Sequence, residues 1–85
     1  MRVEFFGIPR ARVGVAELEL EAETLGQLLA TLEDRFPSLG QLVQQSGHLR
    51  SPFLASINGE RFISDPETKL AQADCVLILS AEAGG

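Results

Sequence analysis

Few residues of this chain are of the types that carry out chemistry, and they do not form groups. Cys75 and His48 are the only cysteine and the only histidine, and neither has the neighbours that a metal site or a thiol exchange motif requires. We interpret Cys75 as an inert packed thiol and His48 as a solvated loop residue. Glu17, Glu19 and Glu21 alternate along a strand-like segment, which is typical of a solvated strand face. We therefore expect no metal, no bound cofactor and no complete active site.

The carboxyl end of the chain carries the remaining chemical signal, because the stretch LSAEAGG closes on Gly84-Gly85. Chain ends usually fray and tolerate many residue types. At a glycine frequency of about 7%, two glycines at a given place occur in roughly one chain in two hundred. The pair is unusual, and an accidental Gly-Gly remains one reading of it.

Length and composition favour a single globular domain of 85 residues, with 45% apolar residues and a net charge of −5. The acidic balance argues against nucleic acid as a partner. One cysteine fits a reducing compartment. We find no apolar run long enough to cross a membrane and no signal-peptide core at the start, so we expect a cytoplasmic protein.

The first half of the chain predicts a hairpin followed by a helix. Residues 2–8 have the pattern of a strand that Pro9 stops, and VAELELEAE at 15–23 has the pattern of a half-buried antiparallel strand after a short loop. Thr24 and Gln27 form a capping box, and Leu25, Leu28, Leu29, Leu32 and Phe36 then follow at helical spacing until Pro37. SLGQLVQQSG at 38–47 predicts a short second helix capped by Ser38.

The second half predicts three strands. FLASI at 53–57 and RFI at 61–63 flank Asn58-Gly59, a strong hairpin signal because a type I′ turn needs positive φ at both central residues. CVLIL at 75–79 is apolar throughout, which is typical of a central strand. Pairing it in parallel with the first strand gives an α+β fold: a β-grasp, ubiquitin-like mixed sheet with one long helix on one face. We place this domain at 1–79 and a flexible Gly-Gly tail at 80–85.

One helix covers only one face of such a sheet. If Val3, Phe5, Val76 and Ile78 face the helix, the alternation of side chains sends Phe6, Leu77 and Leu79 to the other face. Phe62 of the short return strand extends this group. Loops could cover these residues, but an apolar face beside the strand that leads into the tail favours a docking surface.

The chain resembles the MoaD and ThiS family of small bacterial sulfur carriers over nearly its whole length. The resemblance rests on VEFFG with Arg10, TLGQLLATLEDRFPSL, INGE, ADCVLIL and the terminal GG, and the FFG opening is closest to MoaD, the small subunit of molybdopterin synthase. Two places depart from the family pattern. Ser80-Ala81 stands where a Pro-Pro pair is common, and Ala73-Asp74 stands where Gly-Asp is usual.

The resemblance implies that the Gly85 carboxylate is adenylated with ATP by a MoeB-like enzyme, converted to a thiocarboxylate, and docked into a MoaE-like large subunit for molybdopterin synthesis. It implies that Gly84 and Gly85 are the reactive tip and that Phe6, Arg10 and Leu79 contact the partners; Leu77 and Phe62 come from strand geometry. The chain would then be a non-catalytic subunit or sulfur-donor co-substrate. Alternatives are delivery to thiamin thiazole, tRNA or cysteine, a ubiquitin-like modifier, and a plain interaction domain.

Overall fold

A computed structural model, which describes residues 1–81, contains a single five-stranded sheet and two α-helices. The elements are β1 (Arg2–Phe5), α1 (Ile8–Val13), β2 (Glu17–Glu19), α2 (Leu25–Arg35), a 3₁₀ turn (Pro37–Leu39), β3 (Phe53–Ile57), β4 (Arg61–Ile63) and β5 (Cys75–Ser80). The order across the sheet is β2-β1-β5-β3-β4.

The last strand lies at the centre of the sheet, as its apolar sequence predicts. β5 pairs in parallel with β1, with Val3 opposite Val76 and Phe5 opposite Ile78. On its other side β5 pairs antiparallel with β3. Since β2 pairs antiparallel with β1 and β4 with β3, the sheet is mixed and the β-grasp prediction is confirmed.

The long helix packs its leucines into the core. Leu25, Leu28, Leu29 and Leu32 are completely buried, where they join a cluster of apolar residues from β1, β3 and β5. The Thr24 hydroxyl accepts a hydrogen bond from the Gln27 backbone N–H (3.2 Å), as in a capping box. The Gln27 side chain differs slightly from prediction, since it accepts from the N–H of Glu23 rather than of Thr24.

The predicted strand over 2–8 is too long, and the predicted loop after it is a helix. β1 ends at Phe5, and Ile8 belongs to α1. Gly7, at φ +66°, reverses the chain into the helix, a backbone angle that glycine adopts without strain. Pro9 then sits in the first turn, where its missing N–H costs nothing. Gly14, at φ +82°, ends the helix.

The predicted second helix over 38–47 is also wrong, because only the 3₁₀ turn at Pro37–Leu39 forms. Gly40, at φ +80°, ends that turn. Ser38 is not a helix cap: its hydroxyl donates to the Arg12 carbonyl (2.8 Å). The segment that follows is held by side chains instead, since the Glu33 carboxylate accepts from the Leu42 N–H (2.7 Å).

The β3–β4 hairpin forms as predicted and is tied to the start of β5. Asn58 and Gly59 have φ of +53° and +67°. The Asn58 side chain accepts from the Cys75 N–H (2.8 Å) and donates to the Asp74 carboxylate (2.9 Å). The second Asp74 oxygen accepts from the Ala71 N–H (2.7 Å). These bonds favour the ionised form of Asp74 and hold its pKa below its usual range, the Ala71 bond first and the Asn58 bond next.

This depressed pKa predicts an acid-sensitive turn. A carboxyl group with a lower pKa in the folded than in the unfolded chain stabilises the fold above its unfolded pKa, about 4. That stabilisation is lost as the pH falls through the folded pKa. We expect the melting temperature of the natural chain to fall more steeply below about pH 5 than that of Asp74→Asn. Thermal unfolding followed by circular dichroism, at a series of pH values from neutral to below about pH 5, measures the two melting temperatures. Identical dependence of the melting temperature on pH in the two proteins would contradict the prediction.

Candidate docking face and tail exit

The tail leaves the domain from the end of the central strand. β5 extends to Ser80, which is buried and pairs with Phe53. The Ala81 N–H then donates to the Pro52 carbonyl (2.8 Å). The predicted domain boundary at Leu79 therefore falls inside β5, and residues 80 and 81 are held by the sheet. Gly84 and Gly85, the predicted reactive tip, lie outside the described residues.

The sheet face opposite α2 carries a group of apolar side chains beside this exit. We call it the apolar patch, and it consists of Phe6, Leu54, Leu77, Leu79 and Phe62. Phe6 is 59% exposed and Phe62 is 66% exposed. The three leucines are half-buried. Within residues 1–81 no loop covers Phe6 or Phe62, at the two margins of this face.

Strand register makes the patch continuous. Phe5 pairs with Ile78 and the Phe6 N–H donates to the Ile78 carbonyl (3.0 Å), which brings Phe6 next to Leu79. Leu79 pairs in turn with Leu54 of β3.

The second row of the patch lies two residues back along β5. Leu77 is on the same face as Leu79 and pairs with Ser56, which pairs with Phe62 of β4. Phe6, Leu77, Leu79 and Phe62, which the sequence predicts as one group, thus share one surface at the end of β5.

Leu54 is a member of the patch that the sequence reasoning missed. The alternation in FLASI places Phe53, Ala55 and Ile57 on the helix side, and all three are buried. The same alternation sends Leu54 to the patch side, where a leucine that covers no core is a signal of docking. Leu54 adjoins the rest of the patch because it pairs directly with Leu79. That pairing follows from the strand order, which the local sequence pattern does not give.

Arg10 lies on α1 and is exposed. This helix contacts β5 and the 3₁₀ turn. Arg12, two residues further along, donates from Nη1 to the Leu39 carbonyl (3.1 Å) and so joins α1 to the 3₁₀ turn. α1 therefore places Arg10 at the end of the sheet where the tail leaves.

The rest of the same sheet face is charged and internally paired. The Arg2 Nε lies 3.5 Å from a Glu4 oxygen and 3.9 Å from a Glu17 oxygen. The pKa of Arg2 is raised above its usual value, first by a hydrogen bond with the Cys75 side chain and then by the charges of Cys75, Glu4 and Glu17. The glutamates of β2 thus face solvent, as predicted, and Glu17 partly neutralises the Arg2 guanidinium.

Neither His48 nor Cys75 stands in a cluster. His48 is exposed, and Cys75 is a half-buried free cysteine. Within residues 1–81, no three histidine, cysteine or acidic side chains are close enough together to hold a metal ion. Neither helix in this part of the chain is both long and apolar enough to cross a membrane.

The exposure of the patch makes a prediction about stability. Replacing Phe6 and Phe62 together by serine should leave the free energy of unfolding nearly unchanged, because both rings are largely solvated. Phe5→Ala, in contrast, removes a buried ring that meets Phe36 edge-on at 6.1 Å, and should cost about 3–5 kcal/mol. Urea unfolding followed by circular dichroism distinguishes them. Large destabilisation by the double substitution would show that these rings belong to the core.

Comparisons with solved structures give the same architecture. The small archaeal modifier protein 1 (SAMP1) of Methanosarcina acetivorans matches with a TM-score of 0.78 and 27% identity, over 99% of this chain and 94% of that one. CysO in the Amycolatopsis orientalis BexX/CysO complex matches with a TM-score of 0.76 and 21% identity, over 99% and 98%. Urm1 of Sulfolobus solfataricus matches with a TM-score of 0.70 and 18% identity, over 94% and 99%.

A comparison with protein-family models identifies the family and not only the fold. No significant match was found among curated protein sequences. The model of the ThiS family, however, matches residues 3–85, which include the Gly-Gly end as well as the sheet and both helices. The chain therefore belongs to the ThiS family of ubiquitin-like sulfur carriers.

Proposed function

We propose that this chain carries sulfur as a thiocarboxylate on Gly85. The observation that carries the proposal is the placement of the apolar patch. Leu77 and Leu79 are its members on the central strand β5, and Leu79 immediately precedes the segment that ends in Gly84-Gly85. A family match that includes this end supports the same function. The body docks through the patch while the tail enters the partner's active site.

The chemistry follows from the weakness of a carboxylate as an electrophile. An activating enzyme joins the Gly85 carboxylate to the α-phosphate of ATP and releases pyrophosphate, so that AMP becomes a good leaving group. A persulfide sulfur then attacks the carbonyl carbon and AMP departs. Cleavage of the sulfur–sulfur bond by a second thiol leaves the thiocarboxylate on Gly85 and a disulfide on the donor. This chain supplies no catalytic side chain for these steps.

The terminal glycines suit the entry of the tail into a narrow site. Without a Cβ they pass through a tight channel and adopt backbone angles closed to other residues. Fixing each tail residue there costs about 1–2 kcal/mol. Full burial of a phenylalanine side chain contributes about 1.5–3 kcal/mol, so burying Phe6 and Phe62 in a partner offsets much of that cost.

For the acceptor we propose a pterin precursor bound to a MoaE-like large subunit, with a MoeB-like adenylating enzyme as the other partner. The FFG opening and Arg10 support this assignment. Ser80-Ala81 in place of a Pro-Pro pair is compatible with it. The pairing of Ser80 with Phe53 and the Ala81–Pro52 hydrogen bond (2.8 Å) hold these two residues against β3 and the residue before it without proline.

Reconstitution tests the carrier step. The chain is incubated with a MoeB-like enzyme, ATP and a persulfide donor, and its intact mass is measured. We expect one oxygen at the carboxyl end to be replaced by sulfur, and no change when Gly84 and Gly85 are deleted. Adding a MoaE-like subunit with precursor should return the mass to that of the carboxylate. If a competent adenylating enzyme never activates the chain, the proposal fails.

The patch has its own test. Phe6→Ser combined with Phe62→Ser should weaken binding to the adenylating enzyme by roughly 10- to 100-fold, since buried aromatic anchors dominate most interfaces. Ala30→Ser is the matched control, because Ala30 is also exposed but lies on α2, on the opposite side of the sheet from the patch. Isothermal titration calorimetry gives both affinities. Equal loss in the two proteins, or none in either, would show that the patch is not the docking surface.

A second candidate function is that of a protein modifier, joined through Gly85 to lysines of other proteins. The 27% identity to SAMP1 over 99% of this chain favours it. The activated carboxyl end is common to both functions, and only the attacking atom differs. Species of higher mass that carry an isopeptide at Gly85 would support this candidate, and their absence from cells that contain the adenylated chain would contradict it.

A further inference from the structure

Primary amines are scarce in this protein. Lys69 is the only lysine, and the other basic residues are all arginine except His48. The amino group of Met1 is the one further primary amine. Any acyl group that reacts with amines on this chain therefore has two possible sites.

The amino group of Met1 is engaged in the fold. It donates to the Leu20 carbonyl at 2.7 Å and lies 3.7 Å from a Glu19 carboxylate oxygen. Met1 is only 6% exposed. To react, this amine must leave both contacts and the strand next to it.

Lys69 has the opposite environment. Its backbone is held by a bridge to Thr24, but its side chain is exposed and makes no hydrogen bond or ion pair within residues 1–81. Lys69 is therefore the one accessible amine nucleophile in the described part of the chain.

Lys69 lies at the acidic end of the molecule, where β5 begins. The Leu70 N–H donates to the Glu23 carbonyl (2.9 Å) and the Ala71 N–H donates to Asp74, the residue before β5. The carboxylates near the start of β5 and of α2 are Glu19, Glu21, Glu23, Glu60, Glu67 and Asp74, against the cations Arg2, Arg61 and Lys69.

The opposite end, from which the tail leaves, is rich in arginine. Arg10 and Arg12 lie on α1, and Arg35 is the last residue of α2. The Arg50 carbonyl accepts a hydrogen bond from the N–H of Phe53, the residue that pairs with Ser80. Within residues 1–81 the acidic residues there are Glu33 and Asp34, and Glu33 is engaged with the Leu42 N–H; Glu82 follows Ala81 in the sequence.

We propose that Lys69 is an acceptor site for the carboxyl end of a second copy of this chain. The arginine-rich exit end of one copy is complementary in charge to the acidic end of the next, so association brings the tail of the first towards Lys69 of the second. This head-to-tail contact is heterologous, and its repetition extends a linear chain. The inference rests on the proposed function only for the activation of Gly85 in the cell.

The linking step is an acyl transfer that balances without an oxidant or reductant. The uncharged Lys69 Nζ, after losing a proton to solvent, attacks the carbonyl carbon of the activated Gly85. An amide bond forms and the bond to the leaving group breaks. The leaving group is AMP for an adenylate, with the amine's second proton passing to solvent, or a thiolate for a thioester, which takes up that proton to become the free thiol.

The test bypasses adenylation, so that its failure is distinguishable from failure of the proposed function. A small thiol cleaves the chain from an intein fusion and leaves a thioester on Gly85. The purified thioester is then incubated at high protein concentration and low salt. We expect a dimer lighter than two thioester chains by one molecule of the thiol. Peptide mapping should place its branch at Lys69, with an order of magnitude less product at high salt.

Three variants complete the experiment. Lys69→Arg keeps the charge and the exposed position, and should abolish the dimer while keeping the same thioester. Arg10→Gln with Arg35→Gln should slow linking several-fold at low salt only. A branch at Met1, a cyclic monomer, a salt-independent rate, or no dimer at all would overturn the proposal, whatever the result of the thiocarboxylate experiment.

Discussion

The parallel pairing of β1 with β5 is the constraint on which the rest of the structure depends. It puts an apolar strand at the centre of the sheet, with Val76 and Ile78 buried beside Val3 and Phe5 under α2. Because α2 covers one face only, the alternate residues Leu77 and Leu79 are left on a face without a helix. The same pairing sets the end of β5 next to Phe6, so the patch and the start of the tail lie side by side.

Much of this arrangement could be predicted from the sequence, because the central strand, the long helix and the Asn58-Gly59 hairpin each carry a strong local signal. Side-chain alternation was sufficient to find Phe6, Leu77 and Leu79. Residues 9–14 were predicted as a loop because Pro9 is read as a strand stop, whereas Gly7 and Gly14, both at positive φ, are the caps of a short helix there. Leu54 could not be predicted as part of the patch, because its place there depends on pairing with Leu79, a residue far from it in the sequence.

The described residues show which features of a sulfur carrier this domain has. Charges on the sheet face pair among themselves, and within residues 1–81 no three histidine, cysteine or acidic side chains lie close enough together to hold a metal ion. What this part of the chain presents is an exposed apolar patch beside the end of β5. A sulfur carrier needs such a surface, since its carboxyl end is modified in one active site and used in another.

The most direct test of this account is the mass of the carboxyl end of the protein isolated from its own cells. The account predicts a population in which one Gly85 carboxyl oxygen is replaced by sulfur, and that population should disappear in cells that lack the adenylating enzyme. An unmodified carboxylate in every molecule, in cells where that enzyme is present and the acceptor pathway is blocked, would contradict the central claim.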